Sequence, residues 1–166
     1  MLVRGNAAVP DSDGTTTLAA CPDSPERGDQ WLWSVRRVPG SDGEARTDTA
    51  TVTSSATYTV AGTALPWRVV VDHDRDHIRA DLTVHDDETV ELTRQPGEEL
   101  VVVPLMGEHL IAHATGPWKR WVAPGDVFVI EGEETESLRL RPAPGGARVA
   151  LVRLSPTTAP VLRWVP

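Results

Sequence analysis

Apolar and polar positions alternate in short runs along most of this chain, and turn-forming residues separate the runs. Ser137-Leu138-Arg139-Leu140-Arg141 sets its leucines on one side and its polar groups on the other. Thr49 to Thr53 does the same, with threonines at the odd positions and Ala50 and Val52 between them. Runs of this kind predict strands over Gln30 to Arg37, Thr49 to Val60, Trp67 to Val71, His77 to Val84 and Thr89 to Thr93. Further strands are predicted over Glu99 to Pro104, Glu108 to His113, Trp118 to Val122, Asp126 to Glu131, Ser137 to Arg141 and Arg148 to Leu154. The punctuation is as clear: Pro39-Gly40-Ser41-Asp42-Gly43, Gln95-Pro96-Gly97, Ala123-Pro124-Gly125-Asp126 and Pro144-Gly145-Gly146 each stop a run. No long stretch keeps a helical period. The pattern predicts an all-β barrel or sandwich in one domain over residues 1 to 166, with residues 1 to 28 irregular and 155 to 166 a tail.

Composition narrows the function classes. The 24 acidic residues outnumber the 16 basic ones, for a formal charge of -8, which argues against a surface that tracks nucleic-acid phosphates or anionic lipid. The lone Cys21 excludes a disulfide framework within the chain. No apolar run is long enough to cross a bilayer as a helix. Leu18-Ala19-Ala20-Cys21 has the form of a lipoprotein cleavage box, but Pro10, Asp11, Ser12, Asp13 and Thr15 to Thr17 interrupt the apolar stretch such a signal requires. A cytoplasmic protein is the expectation. Six tryptophans stand beside one phenylalanine and one tyrosine, and they supply either core volume or a dimer seam.

Gly107-Glu108, the strand after it, and the turn Pro124-Gly125-Asp126 leading into Val127-Phe128-Val129-Ile130 together resemble the second half of a cupin, the double-stranded β-helix (jelly-roll) barrel. Metal-binding cupins carry a His-x-His pair and a glutamate before the glycine turn, and a later histidine. The first two slots fall at Thr93 and Gln95, or at Arg94 and Pro96; the glutamate slot falls at Leu100, just after Glu98 and Glu99; the last falls near Glu136. The histidines of that set are missing. The resemblance therefore implies a barrel with no metal, no other cofactor and no assigned catalytic residue. Asp13-Gly14-Thr15-Thr16-Thr17-Leu18, followed by Gln30-Trp31-Leu32-Trp33-Ser34-Val35, is similar to the opening of the HutD family of cupins, which implies a role in histidine utilisation.

On that basis a cavity is expected to bind a small polar or carboxylate metabolite. Arg94 and Gln95 would orient a carboxylate or amide, Trp33 would form an apolar wall, and His109 or Glu136 would supply a polar partner. Two alternatives stand beside this regulatory or binding role. One is a cupin enzyme of isomerase or oxygenase type using a non-standard set around His73, His77 and His85; the other is a structural homodimer.

Overall fold

A computed structural model of the chain describes residues 2–4, 12–22, 31–39, 51–60 and 63–157. Among them are β1 (Leu2–Arg4), β2 (Thr16–Pro22), β3 (Trp31–Pro39), β4 (Thr51–Val60), β5 (Thr63–His73), β6 (Ile78–Asp86) and β7 (Val90–Arg94). The order continues with β8 (Glu99–Met106), β9 (His109–His113), β10 (Lys119–Val122), β11 (Asp126–Ile130), β12 (Glu136–Pro142) and β13 (Arg148–Pro156). Each of the eleven predicted strands has its counterpart in β3 to β13. The structure adds β1 and β2 inside the segment that reads as irregular in sequence, and it carries β13 on to Pro156, into the predicted tail. The rest of the tail, 158 to 166, lies outside the described residues.

The strands form three antiparallel sheets, ordered β1-β11-β8-β13-β6, β10-β9-β12-β7 and β2-β3-β5-β4. From β6 onward the chain alternates between the first two sheets, except at the β9–β10 hairpin. The resulting orders, 11-8-13-6 facing 10-9-12-7, are the two interleaved Greek keys of a jelly roll. The fold is all-β and cupin-like. The β2–β5 sheet covers the other side of the β1-β11-β8-β13-β6 sheet, which thus becomes the middle of three layers.

That position explains which strands alternate and which do not. On β8, Leu100 and Val102 pack into the jelly-roll interior with Ile111, Val122, Phe128, Ile130, Leu138 and Leu140. The intervening Val101, Val103 and Leu105 pack the opposite way, against Leu18, Trp33, Val35, Val69 and Val71 of the N-terminal sheet. A strand buried on both faces needs apolar residues at every position, hence the unbroken Leu-Val-Val-Val-Pro-Leu of β8. On β12, Leu138 and Leu140 point inward while Ser137, Arg139 and Arg141 face outward, so this outer-layer strand alternates. The lipoprotein-like Leu18-Ala19-Ala20-Cys21 lies in β2, with Leu18 and Ala19 in the core between sheets.

Candidate functional site

The five residues selected from sequence fall in three places. Arg94 and Glu136 meet directly, because β7 and β12 pair them in register and the Arg94 Nε donates to Glu136 Oε2 at 3.0 Å. Arg94 is completely buried, and its guanidinium is spent within the protein. Nη1 donates to the carbonyls of Gly132 (2.7 Å), Gln95 (3.0 Å) and Glu98 (3.2 Å), and Nη2 to that of Glu134 (2.6 Å). Arg94 thus locks the acidic loop after β11 onto the turn after β7. Gln95 is exposed, and its backbone N–H donates to the Glu98 carboxylate at 2.8 Å.

His109 lies at the other end of the far sheet. It pairs with Pro142, six positions along β12 from Glu136, or about 20 Å away. It is buried, and its Nδ1 has no hydrogen-bond partner among the described residues. Burial pushes its pKa down, with Asp87 partly opposing, so the imidazole is neutral at pH 7. Trp33 belongs to neither end of the jelly roll. It sits between the N-terminal and middle sheets.

The other histidines serve local roles. His73 Nδ1 lies 2.9 Å from the Ile78 carbonyl, His77 pairs with Asp74, and His85 pairs with Glu88. His113 Nδ1 accepts the Gly116 N–H at 2.6 Å and so shapes the loop before β10. Among the described residues no three His, Cys, Asp or Glu side chains converge to hold a metal ion. Of the tryptophans with described side chains, Trp33 is core, Trp118 packs on Phe128 at a ring separation of 6.0 Å, and Trp121 is exposed on the edge strand β10.

Two features of the layer between the N-terminal and middle sheets went unselected in the sequence. At one end a cleft of about 310 Å³ is lined by Leu18, Arg37, Val103 to Gly107 and Pro124 to Asp126. Its mouth is formed by the glycine turn and the Pro-Gly-Asp turn that carry the cupin resemblance. Asp126 accepts the Ala123 N–H at 3.1 Å, closing that turn, and Gly125 takes φ +99° within it. Leu18, Val103 and Leu105 make the walls apolar, and among the described residues Arg37 is the one cationic and Asp126 the one anionic side chain of the lining.

At the opposite end stands Glu99, only 6% exposed. Burial, and secondarily the Glu131 carboxylate, push its pKa up from 4.5 to about 7, while the Trp33 indole N–H partly offsets them. Cys21 nearby is pushed up to about 11, by burial first and then by Glu99 and Glu131, so it is a neutral thiol at neutral pH. A stability profile follows. The unfolded Glu99 ionises near 4.5 and the folded one near 7, so the native state holds the extra proton between those values. Its contribution is fully present below pH 4.5 and is lost as pH rises through 7, by on the order of 3 kcal/mol. Urea unfolding from pH 4.5 to 8 is expected to show this decline in the wild type and a flatter profile in Glu99→Gln. Equal slopes in the two proteins would contradict the assignment.

No family model matches the chain, and no curated protein matches it. Among solved structures, the conserved protein of unknown function PA5104 from Pseudomonas aeruginosa PAO1 superposes with a TM-score of 0.67 at 13% identity, covering 94% of this chain and 98% of that one. HutD from Pseudomonas fluorescens SBW25 superposes with a TM-score of 0.61 at 12% identity, covering 95% and 99%. At such identities the likeness is one of fold. Because it spans nearly the whole of each chain, it takes in the N-terminal sheet as well as the jelly roll. The chain is a cupin-like barrel protein with the overall fold of HutD.

Proposed function

We propose that this protein is a non-catalytic binder of a small carboxylate metabolite, seated in the cleft between the N-terminal and middle sheets. The observation that carries the reading is the cleft itself, apolar-walled, with Arg37 its one cation among the described residues. A guanidinium offers a carboxylate two parallel N–H donors, and the apolar walls suit a short carbon skeleton. A regulatory role in histidine utilisation accords with the fold shared with HutD. Arg94 and Glu136, which the sequence also nominates, serve in this reading to hold the loops of the jelly roll in place.

Titration calorimetry with small mono- and dicarboxylates, histidine-pathway intermediates among them, is the test. Saturable binding by the wild type is expected to weaken about 10- to 100-fold in Arg37→Gln, the worth of a charge-assisted hydrogen bond. Undiminished binding in that variant would refute the placement, and turnover of any bound carboxylate would refute the non-catalytic role.

A further inference from the structure

We propose that the outward face of the β10-β9-β12 sheet carries a second anion site, which takes the phosphate group of a small phosphorylated metabolite. The placement follows from the ladder. β9 lies between β10 and β12, and the register sets Lys119, Ala112 and Arg139 in one row and Trp121, Leu110 and Arg141 in another. Ile111, between the two rows on β9, points into the jelly-roll core, so both rows face away from it. Neighbouring strands lie about 4.8 Å apart, which sets the Lys119 and Arg139 backbones about 10 Å from each other with only the Ala112 methyl group between them. That short residue leaves a depression of about 260 Å³, and its lining includes Leu110, Ala112, His113, Lys119, Arg139 and Arg141.

The charge gathered there runs against that of the chain. Acidic residues outnumber basic ones by 24 to 16, and Arg36, Arg94, Arg148 and Arg153 each meet a carboxylate. Lys119, the one lysine of the sequence, and Arg141 form no ion pair among the described residues. No acidic side chain among those residues lines the depression. Arg139 is steadied from behind. Its Nε and Nη2 donate to Glu91 Oε1 at 3.0 and 2.6 Å, and β7 holds Glu91 on the side of β12 away from β9. The Nη1 hydrogens of Arg139 take no part in that pair. Three cations around one depression suit a group with nearly two negative charges and several acceptor oxygens. A phosphate monoester has both at pH 7.5, whereas a monocarboxylate would match one guanidinium and leave the other positive charges together. The volume suits a small metabolite, since drug-sized ligands take larger pockets.

The carboxylate cleft lies on the far side of the middle sheet, so the two sites can fail separately. The test is calorimetric titration of the full chain with glycerol 3-phosphate at pH 7.5, with ionic strength held by sodium chloride. The wild type is expected to bind saturably, and Lys119→Gln and Arg141→Gln are each expected to weaken binding about tenfold or more. Arg120→Gln is the matched control. Arg120 is exposed and carries the same charge beside Lys119, but it pairs with Ile111 and does not line the depression. Arg120→Gln and Arg37→Gln are expected to stay within about twofold of the wild type. Lys119 and Arg141 are exposed, so their variants are expected to fold. A second readout comes from reductive methylation with a ¹³C label, which keeps the charge and gives a single lysine signal. That signal is expected to shift saturably in step with the heats. Absence of saturable binding, a Lys119 signal that stays in place at saturation, a loss in Arg120→Gln as large as in Lys119→Gln and Arg141→Gln, or a loss confined to Arg37→Gln would overturn the proposal.

Discussion

Arg94→Met is expected to lower the free energy of unfolding by about 3 to 5 kcal/mol, the cost of breaking a buried ion pair by removing one partner. The Arg94 guanidinium touches no solvent, and it joins Glu136 to the carbonyls of Gln95, Glu98, Gly132 and Glu134. Methionine restores much of the volume but offers none of those acceptors a donor, and it unties the two loops that the guanidinium joins. Lysine is expected to recover only part of the loss, because an ammonium is a point donor and cannot span acceptors arranged around a planar fork. Glu136→Gln keeps an acceptor opposite Nε and is expected to cost less than either. Urea midpoints at constant slope measure all three. A loss below about 1 kcal/mol in Arg94→Met would show that the loops do not depend on this residue.

Gly107→Ala is expected to be nearly as damaging, for a reason of shape. Gly107 takes φ +63°, where an L side chain costs about 1 to 3 kcal/mol. A Cβ there would also run into the Gly146 carbonyl oxygen and stand 2.9 Å from the Ala147 Cβ, an overpacking worth about 1 to 3 kcal/mol more. Gly145→Ala is the matched control. Its φ is also positive, at +114°, but a Cβ there meets nothing within 4 Å. Gly107→Ala is therefore expected to unfold at clearly lower urea than Gly145→Ala, and equal midpoints would remove the steric part of the account. Gly107 also lines the cleft, so its turn couples stability to the geometry of the proposed carboxylate site.

The strands were legible where apolar and polar positions alternate, as in β12, and where Gly, Pro or Asp marks the turns between them. β2 was not, since Thr15 to Thr17 and the small residues Ala19 and Ala20 give no strong period, and its apolar face becomes evident only against a partner sheet. The third layer was hidden for a related reason. A run such as Leu100 to Leu105 is compatible with any strand buried on both faces, and nothing local says which two sheets bury it. The sequence reading placed Trp33, Arg94, Gln95, His109 and Glu136 around one cavity. The three-layer arrangement provides two interiors, so Trp33 lies in one and Arg94, Glu136 and His109 in the other.

In the sequence Glu99 stands out only as a neighbour of a family slot, and Glu131 only as the end of a predicted strand. What distinguishes them is phase. Each continues the alternation of an apolar strand by one more step, on the face that meets the N-terminal sheet. Arg37 gives no local signal at all, because its relation to the Gly107 and Pro124 turns arises from sheet-on-sheet packing.

The account's central claim is that the ligand lies between the N-terminal and middle sheets, outside the jelly-roll interior. The most direct measurement is side-by-side calorimetry of a carboxylate that binds the wild type, using Arg37→Gln and Glu136→Gln. Weakening of about tenfold or more in Arg37→Gln with binding retained in Glu136→Gln is the predicted result. Loss in Glu136→Gln with binding retained in Arg37→Gln would place the ligand inside the jelly roll and contradict the claim.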